Sequence, residues 1–103
     1  MAYRGEDIDF RIKGTHEANL DNNDFTILIY PDGRYSEAYE IPKRAMTRVS
    51  ENVYVGYIPF TDSKSMVLGS YTVELLMMVD GANRSIYAKR SALEIYDSAS
   101  KEK

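Results

Sequence analysis

The chain has 103 residues, 44% hydrophobic and 28% charged, with a formal net charge of -3; that is the size and apolar content of one globular domain, expected over 1–103 with an ordered core at about 5–96 and a polar tail at 97–103. Basic residues are scattered, and Lys43-Arg44 and Lys89-Arg90 are only pairs, which argues against the clustered basic face that nucleic acid requires. Cysteine is absent, which excludes disulfides and thiolate zinc sites.

The first predicted strand alternates Ile8, Phe10 and Ile12 against Asp7, Asp9 and Arg11, giving one buried and one wet face. A polar connection, Gly14 to Asn23, leads to Phe25–Tyr30, where Phe25, Ile27 and Ile29 share one face while Leu28 and Tyr30 make the other apolar as well. Pro31-Asp32-Gly33 is turn chemistry. Tyr39 and Ile41 mark a strand over 37–42, and a short one follows near Met46 to Val49. Val53–Ile58 is rich in aromatic and β-branched residues and ends at Pro59, which cannot donate to a ladder. Residues 61–66 suit one helical turn capped by Thr61 or Asp62. The next strand is Tyr71–Val79, joined by Asp80-Gly81-Ala82-Asn83 to a last run, Arg84–Tyr96. In that run Ile86 and Ala88 fall on one parity and Leu93 and Ile95 on the other, so a bulge is expected near Arg90-Ser91. About seven short strands without an amphipathic helix of three turns indicate an all-β fold, an immunoglobulin-like antiparallel β-sandwich, with a small barrel as the alternative.

Leu68-Gly69-Ser70-Tyr71 leads into a late strand, a Leu-x-x-Tyr step that resembles the tyrosine corner of immunoglobulin-like sandwiches. Gly69 permits the bend there, and Tyr71 can bury its ring while its hydroxyl bonds to corner backbone. With the charged opening strand Gly5-Glu6-Asp7-Ile8-Asp9-Phe10, the strand and turn over 25–33 and the closing hairpin, the layout from Gly5 to Tyr96 resembles the N-terminal domain of phage baseplate upper proteins. The sequence has no coiled coil or receptor-binding segment after the last strand. The resemblance therefore implies a trimmed or stand-alone module that docks within a tail, baseplate or related injection-type particle.

Candidate chemistry is sparse. His16, the one histidine, has only its sequence neighbour Glu17 as an orienting partner, and a surface-loop histidine accounts for it better. Asp7 and Asp9, beside Glu6, project from one strand face about 7 Å apart; that fits a carboxylate pair on separation alone, but a solvated edge strand explains them better. Asp21-Asn22-Asn23-Asp24 offers oxygen ligands without the glycine and terminal glutamate of a calcium loop, so a turn is favoured. There is no Gly-x-Ser-x-Gly elbow and no phosphate-cradling loop.

These absences point away from an enzyme, a cofactor and a small-molecule substrate, and towards a structural or interaction module. Leu28, Tyr30, Leu76 and Met78 share the parity opposite the core face of their strands. If those strands lie in one sheet they form an outer apolar patch, the expected surface for other proteins of an assembly or for a second copy. A carbohydrate-binding sandwich using tyrosines with Asp32 and Asp80 is the alternative. The N-terminus has no signal-peptide pattern and Leu75–Val79 is too short to span a bilayer. Cytoplasmic synthesis is expected, with association to a virion as the destination the resemblance implies.

Overall fold

The structure, a computed structural model, describes residues 2–15 and 19–96. Eight strands run β1 (Ala2–Tyr3), β2 (Ile8–Lys13), β3 (Phe25–Pro31), β4 (Tyr39–Pro42), β5 (Thr47–Ser50), β6 (Val53–Ile58), β7 (Gly69–Val79) and β8 (Ala82–Tyr96), with one helical turn, α1 (Phe60–Ser63), between β6 and β7. They form two sheets, β1-β8-β7-β3-β4 and β2-β6-β5, in which every pairing is antiparallel except the short parallel contact of β1 with β8. The order β8-β7-β3-β4 is the G-F-C-C′ sheet of an immunoglobulin-like sandwich, and β2-β6-β5 is its B-E-D sheet. Tyr71, near the start of the strand equivalent to F, donates its hydroxyl to the Val67 carbonyl at 2.7 Å. The tyrosine corner expected from the sequence is therefore present.

The period-two pattern explains the core. Phe25, Ile27 and Ile29 of β3, Ile41 of β4, Ile8 of β2, Tyr54 and Ile58 of β6 and Tyr71 and Met77 of β7 all turn inward and are buried. Gly56 lies between two core side chains, because a Cβ there would sit 2.9 Å from Phe10 Cζ and 3.3 Å from Met46 Cε. The β7–β8 hairpin closes on Asp80 and Gly81 with φ of 52° and 80°, the paired left-handed conformations that favour Asp-Gly in two-residue turns.

β8 shifts register against β7 twice. Tyr71 faces Leu93 whereas Val73 faces Lys89, and the displacement is absorbed around Ser91, whose φ is 57°. A bulge lies where the parity break suggests one, but it takes up two residues, so Tyr87 and Lys89 keep the parity of Leu93 and Ile95, and Ala88, opposite Glu74, is not realigned with them. A second shift, between Leu75 opposite Tyr87 and Leu76 opposite Ser85, leaves Ile86 as the extra residue. This one-residue shift is the one that reverses parity, since odd-numbered Tyr87 faces odd-numbered Leu75 whereas odd-numbered Ser85 faces even-numbered Leu76.

A local expectation is corrected. α1 begins after Pro59 and is capped by neither Thr61 nor Asp62; its first amide, that of Phe60, donates to Asp7 Oδ1 at 2.8 Å. Of the strand tyrosines, Tyr54 and Tyr71 are buried, whereas Tyr57 lies opposite Asp9 on the outer face of its sheet and is 54% exposed. Ahead of Gly5, Ala2 and Tyr3 pair with Ile95 and Tyr96. The tail 97–103 lies outside the described residues.

The corner hydrogen bond gives a first prediction. Tyr71→Phe keeps the buried ring but leaves the Val67 carbonyl without its donor, which should cost about 1–2 kcal/mol. Urea denaturation should show a lower midpoint at an unchanged m-value.

Candidate functional site

The four residues expected to form an outer patch do lie on one face. β3 pairs directly with β7, so Leu28 and Tyr30 share the outer side of the five-stranded sheet with Leu76 and Met78. Their exposure differs. Leu28 is only 2% exposed, because β3 is paired on both flanks and Glu40 and Glu74 stand beside Leu28 in register. Tyr30 is half-buried, donates to Glu74 Oε1 at 2.9 Å and packs edge-on against the exposed Tyr35 at 5.2 Å. Burial and then the Glu74 carboxylate raise the pKa of its phenol, which keeps it a neutral donor. Leu76 is half-buried and Met78, near the hairpin, is exposed. The accessible part of this face is Tyr30, Tyr35, Leu76 and Met78, with Leu28 beneath. Leu68, Gly69 and Tyr71 stand at the corner and serve the fold; Leu68 is exposed there.

The acidic loop is a structural knot. Lys43 Nζ donates to the carbonyls of Leu20, Asp21 and Asn23 at 2.8, 3.1 and 2.9 Å. It also lies 5.6 Å from the ring centroids of both Phe25 and Tyr54. These backbone oxygens, which a hard cation would need, already hold an ammonium. Asp21 accepts from the Arg48 guanidinium at 2.9 and 3.2 Å, from the Asn52 amide at 3.0 Å and from the Tyr54 hydroxyl at 3.0 Å. The Arg48 hydrogen bond does most to lower its pKa, to about 2, against the opposing effect of desolvation. Sequence spacing carries no signal for this cluster, because its partners are 20 to 33 residues apart.

The other acids are dispersed. Asp7 caps α1, and Asp9 is exposed beside Tyr57. Asp32 accepts from Thr72 Oγ1 at 2.7 Å, from the Ser91 amide at 3.1 Å and from Ser91 Oγ at 2.6 Å. Those bonds, the Ser91 hydroxyl first, lower its pKa. Asp80 sits in the hairpin turn at the other end of β7, about 30 Å from Asp32 by the rise of a strand, so the two do not converge. His16 and Glu17 lie outside the described residues. Among the described residues no group of three or more His, Cys, Asp or Glu is placed to hold a metal ion, and no helix is long and apolar enough to cross a membrane.

A concave feature of about 710 Å³ lies between the two sheets beside β2 and is lined by Ile12, Val73, Leu75, Ile86 and Tyr87 together with Arg11, Lys13, Gly14 and Thr15. A neighbouring cavity of about 320 Å³ shares Arg11, Ile12, Val73 and Tyr87 with it and continues along Ile8, Asp9 and Phe10 to Ala92 and Leu93. The two make one groove along the open side of the sandwich, and nothing in the sequence pattern announces it. No protein-family model matches the chain, and the searches of curated proteins and of solved structures return no match.

The Asp21 knot predicts an acid dependence. Its pKa is lower in the fold, about 2, than the unfolded value of about 3.9. The stability it contributes is therefore complete above about pH 4 and is lost as the pH falls through about 2. Urea midpoints measured between pH 4 and pH 2 should fall less steeply for Asp21→Asn than for the wild-type chain.

Proposed function

We propose that the chain is a non-enzymatic docking module of a multi-protein assembly, as the phage baseplate upper protein domains it resembles imply, and that it engages its partner through the outer face of the five-stranded sheet. The observation that carries this is the run of Tyr30, Tyr35, Leu76 and Met78 on that face: two aromatic rings in edge contact at 5.2 Å with a half-buried leucine and an exposed methionine on the neighbouring strand. Tyrosine and methionine are enriched at protein interfaces, where they bury large area at modest entropic cost. β3 and β7 are paired to each other over seven residues, so this face is presented by a rigid support. The dispersed acids support the absence of catalysis, since each well-placed carboxylate is already committed to holding backbone or a neighbouring strand.

Light scattering over a concentration series, alone and with the proteins encoded by adjacent genes, tests this. Co-assembly is expected, and Met78→Glu should weaken it at least tenfold without changing the thermal midpoint. A chain that stays monomeric with those proteins present would defeat the proposal.

A further inference from the structure

Among the described residues the sandwich lacks one strand, and the gap has a shape. In a four-stranded A-B-E-D sheet a further strand pairs with the strand equivalent to β2. Here β1 instead joins the opposite sheet beside β8, and among the described residues nothing pairs with the outer edge of β2. The groove follows that edge. Its two parts are lined by consecutive residues of β2 and the loop after it, Ile8–Ile12 in one and Arg11–Thr15 in the other. Because both parities contribute, the groove borders the strand's edge and not one of its faces. Its floor is core: Ile29 is buried, and Val73, Leu75 and Leu93 are half-buried. The opposite wall is Tyr87 of β8, 54% exposed although it is paired with the inward-facing Leu75.

We infer that this groove receives an extended segment of a partner protein, which adds as a strand to the free edge of β2 and places alternate apolar side chains over Val73, Leu75 and Tyr87. Strand addition of this kind draws affinity from main-chain hydrogen bonds and specificity from pockets for alternate side chains. β2 suits it, because its pairing with β6 is regular over all six residues. Charge selects the occupant. Arg11 and Lys13 stand exposed on the groove and neither has an ion pair among the described residues, while Asp9 is the one acid among the lining residues. In a chain of net charge -3 this is a local basic rim, fitted to a segment whose non-apolar positions are acidic. A second copy of the chain fits poorly, because its strands come already attached to a sheet and the groove edge is recessed between β2 and the β7–β8 hairpin. The inference rests on the docking function proposed above and gives it a recognition mode.

The probe is a synthetic peptide alternating valine and glutamate, long enough to span Ile8–Thr15, with a valine–lysine peptide as control. Fluorescence anisotropy with the full chain should show binding of the acidic peptide only, weakened at least tenfold by Arg11→Glu combined with Lys13→Glu. Both positions are exposed, and an unchanged thermal midpoint would confirm that the variant folds. NMR should map slowed amide exchange to β2. Absent binding, equal binding of the two peptides, or protection on the β3–β7 outer face would overturn the inference. If the double variant still co-assembles with its neighbours as the wild type does, strand addition fails while docking stands.

Discussion

The Asp32 carboxylate is the interaction on which the shape of the molecule turns. It leaves the end of β3 and takes three hydrogen bonds, one from Thr72 on β7 and two from Ser91 on β8, so a single side chain ties three neighbouring strands. Arg90 adds a long, solvent-exposed contact at 3.8 Å, which counts for little beside the direct bonds. What Asp32 fixes is the left-handed Ser91 at the bulge. On one side of that residue β8 sends Leu93 and Ile95 towards the core; on the other, residues 82–92 are all exposed. The bulge lies between the part of β8 that helps close the core and the exposed part that walls the groove.

How much of this was legible in the sequence depends on how far apart the interacting residues lie. The tyrosine corner was readable because Leu68, Gly69 and Tyr71 are neighbours and the acceptor, Val67, is four residues from Tyr71. The parity of Ile86 and Ala88 disagrees with that of Leu93 and Ile95, which pointed to a bulge near Arg90-Ser91; a bulge lies there, but the shift that reverses parity is at Ile86, where nothing in the sequence marks it. The Asp80-Gly81 turn follows from the conformations those residues tolerate. Asp7 capping a helix 53 residues away, Lys43 holding the Leu20–Asn23 loop and the burial of Leu28 were not readable, since each depends on which strands lie side by side. The outer face was half legible for the same reason: parity assigned the side, but only the pairing on both flanks of β3 decides that Leu28 is covered and Met78 is not.

The groove was invisible in the sequence for a different reason. A missing strand leaves no mark on the residues that would have paired with it, because β2 has the same alternation whether its outer edge is filled or free. Edges of this kind are usually blunted by charge, bulges or short length. β8 shows two bulges and three cations, whereas β2 is regular and is guarded only by the charges of Asp9, Arg11 and Lys13. The outer face of β3 and β7, proposed above for docking, and the groove beside β2 belong to different surfaces of the sandwich, so a partner held at one would not obstruct the other.

Amide hydrogen exchange resolved along β2 is the most direct measurement of the central claim, that one strand position of this sandwich is empty in the free chain and filled in the assembly. In the isolated protein every second amide from Ile8 to Lys13 should exchange quickly while its neighbours, bonded to β6, are protected; in the assembly all of them should be protected. Uniform protection of β2 in the isolated chain, or an alternation that persists unchanged in the assembly, would contradict it.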